Sequence, residues 1–172
     1  MSTRQASDEH DQVIESRDQL VAPMAAGEKP RERWRVGTEH EKLVYRTADF
    51  RAPSYDEPGG IRDLLLSLRE FGWEPIEEGG KVIAMGGADG TVSLEPAGQL
   101  ELSGAPLATI HETCAEFDAH LHELKGLSEE LGIIWLSLGF HPFATHADLP
   151  HVPKLRYGVM EKYLPTRGPR AL

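Results

Sequence analysis

The chain has 172 residues, 40% hydrophobic and 27% charged, enough for one domain, or part of a larger one, with a tail. Its formal net charge of −10 argues against a nucleic-acid partner, because phosphate neutralisation needs an excess of lysine and arginine. The single cysteine, Cys114, excludes a disulfide within these residues. No apolar run approaches the ~18 residues of a membrane span, so no membrane partner is expected.

Residues 1–12 are polar and predict a disordered tail, leaving 13–172 as the folded part. The tail has no apolar segment of secretory type, so a cytoplasmic location is the expectation. A short helix is predicted over 16–26, weakened by Pro23, and a strand over 34–46. Turn formers dominate 46–60. Ile61, Leu64, Leu65, Leu68 and Phe71 then fall at helical spacing, with Gly72 as the stop. Short strands follow in WEPI and KVIAM. The GGADG turn joins the second to TVSLE, so 81–95 reads as a hairpin, and QLELS is a further strand.

Thr109 and Glu112 have the spacing of a capping box that opens a long helix to about Leu131. Its apolar stripe is Ile110, Cys114, Phe117, Leu121, Leu124 and Leu131, which makes Cys114 a buried structural residue. IIWLSLGF reads as a buried strand, and PKLRYGVMEKYLP as a short helix between prolines. Together these elements predict an α+β fold, a mainly antiparallel sheet with packed helices.

Alternate residues of a strand share a face, so Glu39 and Glu41 point the same way, roughly 6–7 Å apart. His40 points to the other face. In QLELS, Gln99, Glu101 and Ser103 share a face, and Glu95 ends the preceding strand. Four carboxylates on neighbouring strands would make an oxygen-rich cage, which suits magnesium rather than zinc. Acidic strand residues are also what an ordinary solvated face carries, and spacing alone leaves both readings open. His141, His146, Asp148 and His151 match no structural zinc spacing. His120 and His122 project from a helix in different directions. Lys154, Arg156 and Arg167 are cations suited to carboxylate or phosphate groups, or simply to the surface.

The stretches VGTEHEKLVYR, EEGGKVIAM, VSLEPAGQLELSGAPLATIHETCAEFDAHLHELK and MEKYLP closely resemble the plant and proteobacterial type of glutamate–cysteine ligase. The resemblance runs from about Ile14 to Leu172. It implies a glutamine-synthetase-like carboxylate–amine ligase fold, here incomplete, with 13–172 as the N-terminal part of the catalytic domain. It implies magnesium ligands at Glu39, Glu41, Glu95 and Glu101. It also implies substrate binding by Arg156, with Lys154, Tyr157 and Gln99 as weaker candidates.

The implied reaction is first in glutathione synthesis. ATP phosphorylates the γ-carboxylate of L-glutamate, and the amine of L-cysteine displaces phosphate. The partners are then ATP, L-glutamate and L-cysteine, with Mg2+ as cofactor; a homo-oligomer is one expected form of a chain with an incomplete sheet. Two departures stand out. Ala97-Gly98 replaces the family's Gly-Gly, and the family continues well past Leu172, so the fragment alone is expected to be inactive and association-prone. Two other functions are compatible: a non-catalytic magnesium or nucleotide module, and a γ-glutamyl ligase using another amine.

Overall fold

The computed structural model describes residues 13–88 and 90–168. The expected tail at 1–12 lies outside the described residues. The chain divides into two units, Met1–Arg35 and Val36–Leu172.

In the first unit, α1 spans Arg17–Ala26. Ser16 caps it reciprocally. Its hydroxyl accepts from the Gln19 amide at 3.4 Å, and its own amide donates to Gln19 Oε1 at 3.2 Å. Pro23 lies inside the helix rather than ending it. Downstream, the Trp34 indole donates to the Lys29 carbonyl at 2.9 Å.

The second unit is built on an antiparallel sheet. Its strands are β1 Glu39–Arg46, β2 Glu74–Glu78, β3 Lys81–Gly86, β4 Thr91–Glu95, β5 Gln99–Ser103 and β6 Ile133–Leu136. Their spatial order is β2-β3-β4-β5-β1-β6. β1 is therefore interior, paired with β5 on one side and β6 on the other. It begins at Glu39, later than the predicted start at 34. Upstream of it Val36 makes only an isolated bridge to Leu107.

Helix α2, Ile61–Ser67, tightens into a 3-10 turn at Leu68–Phe71 and stops at Gly72, whose φ of 88° is the left-handed conformation glycine adopts freely. Helix α3, Ile110–Leu131, starts at the expected Thr109–Glu112 capping box and stops at Gly132, also left-handed. Helix α4 is Leu155–Tyr163. The core gathers one sheet face against α2 and α3. Val44, Val92, Leu94, Leu100, Leu102 and Ile133 meet Leu64, Leu65, Leu68, Leu124 and Leu127. A leucine taken fully out of water contributes about 1.5–3 kcal/mol, so this layer dominates the stability of the unit.

Three expectations are corrected. The buried face of α3 is Thr113, His120, Leu124 and Leu127, rotated by about 60° from the predicted stripe at 3.6 residues per turn. Ile110 is 62% exposed and Leu121 38%, because the leucines near the C-terminal end dock the helix and set its rotation. Cys114 consequently lies exposed. The apolar run after Gly132 forms only the four-residue outer strand β6; beyond it Phe140 is 77% exposed.

The irregular segment between β1 and α2 is held by charge. Glu57 accepts from Arg46 Nη2 at 2.8 Å, from Arg51 Nη1 at 3.1 Å and from Ser54 Oγ at 3.2 Å. Burial raises its pKa, but the bonds from Arg46 and Arg51 together outweigh that and hold it at about 2.

Candidate functional site

Register decides which acidic side chains can meet. Glu41 stands opposite Glu101 and Glu39 opposite Ser103 across β1 and β5. Across β4 and β5, Ser93 faces Glu101 and Glu95 faces Gln99. By strand alternation these residues share one face, and it is the face turned away from α2 and α3, since Leu100 and Leu102 occupy the core.

Glu101 is 4% exposed. The Ser103 hydroxyl donates to its Oε1 at 3.0 Å. Burial above all pushes the Glu101 carboxyl upward, and the neighbouring Glu95 adds to the rise against the Ser103 bond.

The turn between β4 and β5 aims Glu95. It is a 3-10 turn, Pro96–Gly98, in which Ala97 has φ 64° and ψ 15°. Gly98 follows with φ 73°, and a Cβ there would sit 3.3 Å from Pro150 Cγ. From the end of β4, Glu95 Oε1 meets Arg156 Nη2 at 2.8 Å and Lys154 Nζ at 3.6 Å. Its Oε2 accepts from the Tyr157 hydroxyl at 3.0 Å. Arg156 Nη2 also donates to the Tyr157 hydroxyl at 2.9 Å. Lys154 is 4% exposed, and burial lowers its pKa although Glu95 pulls the other way. Burial likewise raises the Tyr157 phenol, so it stays a hydrogen-bond donor.

Six of the eight residues implied by the resemblance are thus gathered: Glu95, Glu101, Lys154, Arg156 and Tyr157 in one network, with Gln99 beside it. Gln99 Oε1 is buried with no hydrogen-bond partner among the described residues, so it is available to a donor. Glu39 and Glu41 lie on the same face one strand over, with exposed side chains. Among the described residues no three His, Cys, Asp or Glu side chains are close enough together to hold a metal ion. The pair of buried Glu101 and half-buried Glu95 fits a hard divalent ion that takes one or two carboxylates and completes its shell from water and phosphate. Ser103 belongs to the network and was not singled out as a site residue. Its signal was legible, since it stands two residues from Glu101 on the same face.

Among the described residues the histidines form no metal centre. His141 packs at a tilt against Tyr45 with centroids 4.7 Å apart, His151 Nδ1 contacts Glu161 at 2.8 Å, and Asp148 Oδ2 accepts from the Thr145 amide.

Fold and site define a class: an antiparallel-sheet α+β protein with a carboxylate pair, one of them buried, and a lysine–arginine couple on one sheet face. The profile of the family described as glutamate-cysteine ligase family 2 (GCS2) matches residues 35–171. The chain is 46% identical over 154 residues to a chloroplastic glutamate–cysteine ligase of Brassica juncea, covering 89% of this chain and 29% of that one. The chloroplastic ligase A of Oryza sativa subsp. japonica is also 46% identical, covering 89% and 31%. That of Arabidopsis thaliana is 44% identical, covering 89% and 29%. The chain belongs to glutamate–cysteine ligase family 2, and it spans about 30% of the length of these curated relatives.

The cytoplasmic expectation is overturned by the same relatives, which are named as chloroplastic. Lack of an apolar segment speaks only against a secretory signal; transit peptides are amphipathic and carry no such segment.

Proposed function

We propose that this chain supplies the acidic sheet and the cationic clamp of an ATP-dependent ligase joining the γ-carboxylate of L-glutamate to the amine of L-cysteine. In this reading residues 13–172 are the N-terminal part of a catalytic domain with a glutamine-synthetase-like sheet. The observation that carries it is the network of Glu95, Glu101, Lys154, Arg156 and Tyr157 on the sheet face of a chain in this family.

The chemistry sets opposed electrostatic demands. Transfer of a phosphoryl group from ATP to a carboxylate crowds negative charge, and bound magnesium would neutralise the phosphates. Glu101 and Glu95 would hold that ion, with Glu39 and Glu41 contributing from β1. Arg156 suits a substrate carboxylate, because its planar fork can form two parallel bonds. In the structure that fork is turned onto Glu95, so substrate would replace one carboxylate with another. Lys154 supplies a buried positive charge beside it, and Tyr157 keeps both cations in place through its ring and hydroxyl. Gln99 would offer its unpartnered oxygen to the substrate's ammonium group.

Glu101→Gln, made in the native protein that carries this chain, tests the assignment. Turnover should fall by ~10²–10³, the scale of removing one preorganised electrostatic group, with the thermal transition unchanged. Unaltered turnover and magnesium dependence would remove Glu101 from the site.

A further inference from the structure

The sheet face that carries Glu101 holds hydroxyls as well as carboxylates, and strand register sets them in rows. Ser93, Glu101 and Glu41 form one row, and Thr91, Ser103 and Glu39 the next. Ser93 stands at the corner between the two carboxylates assigned to the cation. It lies directly opposite Glu101, where the Cα atoms of an antiparallel pair are about 4.5–5.5 Å apart. It also precedes Glu95 by two residues on β4, about 6.5–7 Å along the strand and on the same face.

Ser93 is 5% exposed, a depth at which hydroxyls are ordinarily hydrogen-bonded. Among the described residues its hydroxyl has no hydrogen-bond partner, yet the oxygen is not sealed from solvent. Its neighbours offer little. On β3 the residue opposite is Ala84, fully buried and without a polar side chain. Glu95 is held by Arg156 and Tyr157, and the Ser103 hydroxyl is spent on Glu101 Oε1. Among the described residues no three acidic, histidine or cysteine side chains are close enough together to hold a metal ion. A divalent ion at Glu101 and Glu95 therefore takes neutral oxygens as well. A serine hydroxyl is one that magnesium accepts in phosphoryl-transfer sites.

We propose that Ser93 is a further residue of the cation site, lending a lone pair of its hydroxyl oxygen to the ion held by Glu101 and Glu95. The inference rests on the ligase reading for the presence of that ion, and on strand register for the residue. The rival role is packing, in which serine stands beside Ala84 only because it is small. Alanine satisfies that role and not the proposed one, whereas threonine keeps the hydroxyl.

The test titrates the native protein that carries this chain with Mn2+ as the probe, without ATP or amino acids, and reads free Mn2+ by electron paramagnetic resonance. Ser93→Ala should weaken Mn2+ binding about tenfold, the scale of one polar contact to a charged group, with the thermal transition unchanged. Ser93→Thr should stay within about threefold of the parent. Glu101→Gln, measured alongside, separates the two levels of the claim. Binding weakened by Glu101→Gln but not by Ser93→Ala would overturn the role of Ser93 and leave the ligase reading standing. Binding indifferent to both would overturn the cation site and Ser93 with it. Equal losses in the alanine and threonine variants would assign Ser93 to packing and overturn the proposal.

Discussion

Ala97 holds a backbone conformation that its side chain opposes. With φ 64° and ψ 15° it is left-handed, where a Cβ crowds the following carbonyl and costs about 1–2 kcal/mol. The strain is retained in the turn that aims Glu95 at Arg156. Ala97→Gly removes the clash but gives the unfolded chain more freedom, so the net gain should be about 0.5–1 kcal/mol. Urea unfolding of the two proteins side by side measures it; an unchanged or lower midpoint would mean the turn relaxes around alanine. The sequence marked position 97 as a departure from Gly-Gly, but its cost depends on a φ that only the folded turn sets. The same holds for Arg156 and Glu95. Each was identifiable as a charged candidate, yet strand periodicity cannot place residues 61 positions apart in one ion pair.

At the scale of elements, the capping box, the Gly72 stop and the β3–β4 hairpin were all readable, because each is dictated by neighbours in the chain. The rotation of α3 was not. Ile110 and Leu121 sit at helical spacing as good as that of Leu124, and burial goes to whichever side meets the sheet. Loop 46–60 likewise read as mere turn formers, although Glu57 binds it to β1 through Arg46. That tie has a pH signature. The Glu57 pKa falls from an ordinary 4.5 to about 2 on folding, so its stabilisation is fully present above 4.5 and is lost as pH drops from there towards 2. Unfolding midpoints compared at about pH 6 and about pH 3 should fall less in Glu57→Gln than in the parent chain. An equal fall in both would place the acid sensitivity in other groups.

At the scale of the molecule, the antiparallel α+β architecture was legible from strand and helix lengths, and the family from the long motifs that run through them. The strand order was not, since β1 pairs with two partners that lie far along the chain. β2 and β6 are the outer strands of the sheet formed by the described residues, and an outer strand offers unpaired backbone groups to further strands or to another copy. We expect the 172-residue chain alone to associate, which sedimentation at several concentrations would show. A monomer that melts cooperatively would contradict this. The central claim, that the carboxylates and cations on this sheet serve a ligase, is tested most directly with the native protein. ADP release is recorded with magnesium, glutamate and cysteine present, and again with each omitted in turn. The account predicts release only when all three are present. No release from a folded, full-size protein would contradict it and leave a non-catalytic binding module; release without cysteine but with another amine would keep the sheet's role and change the acceptor.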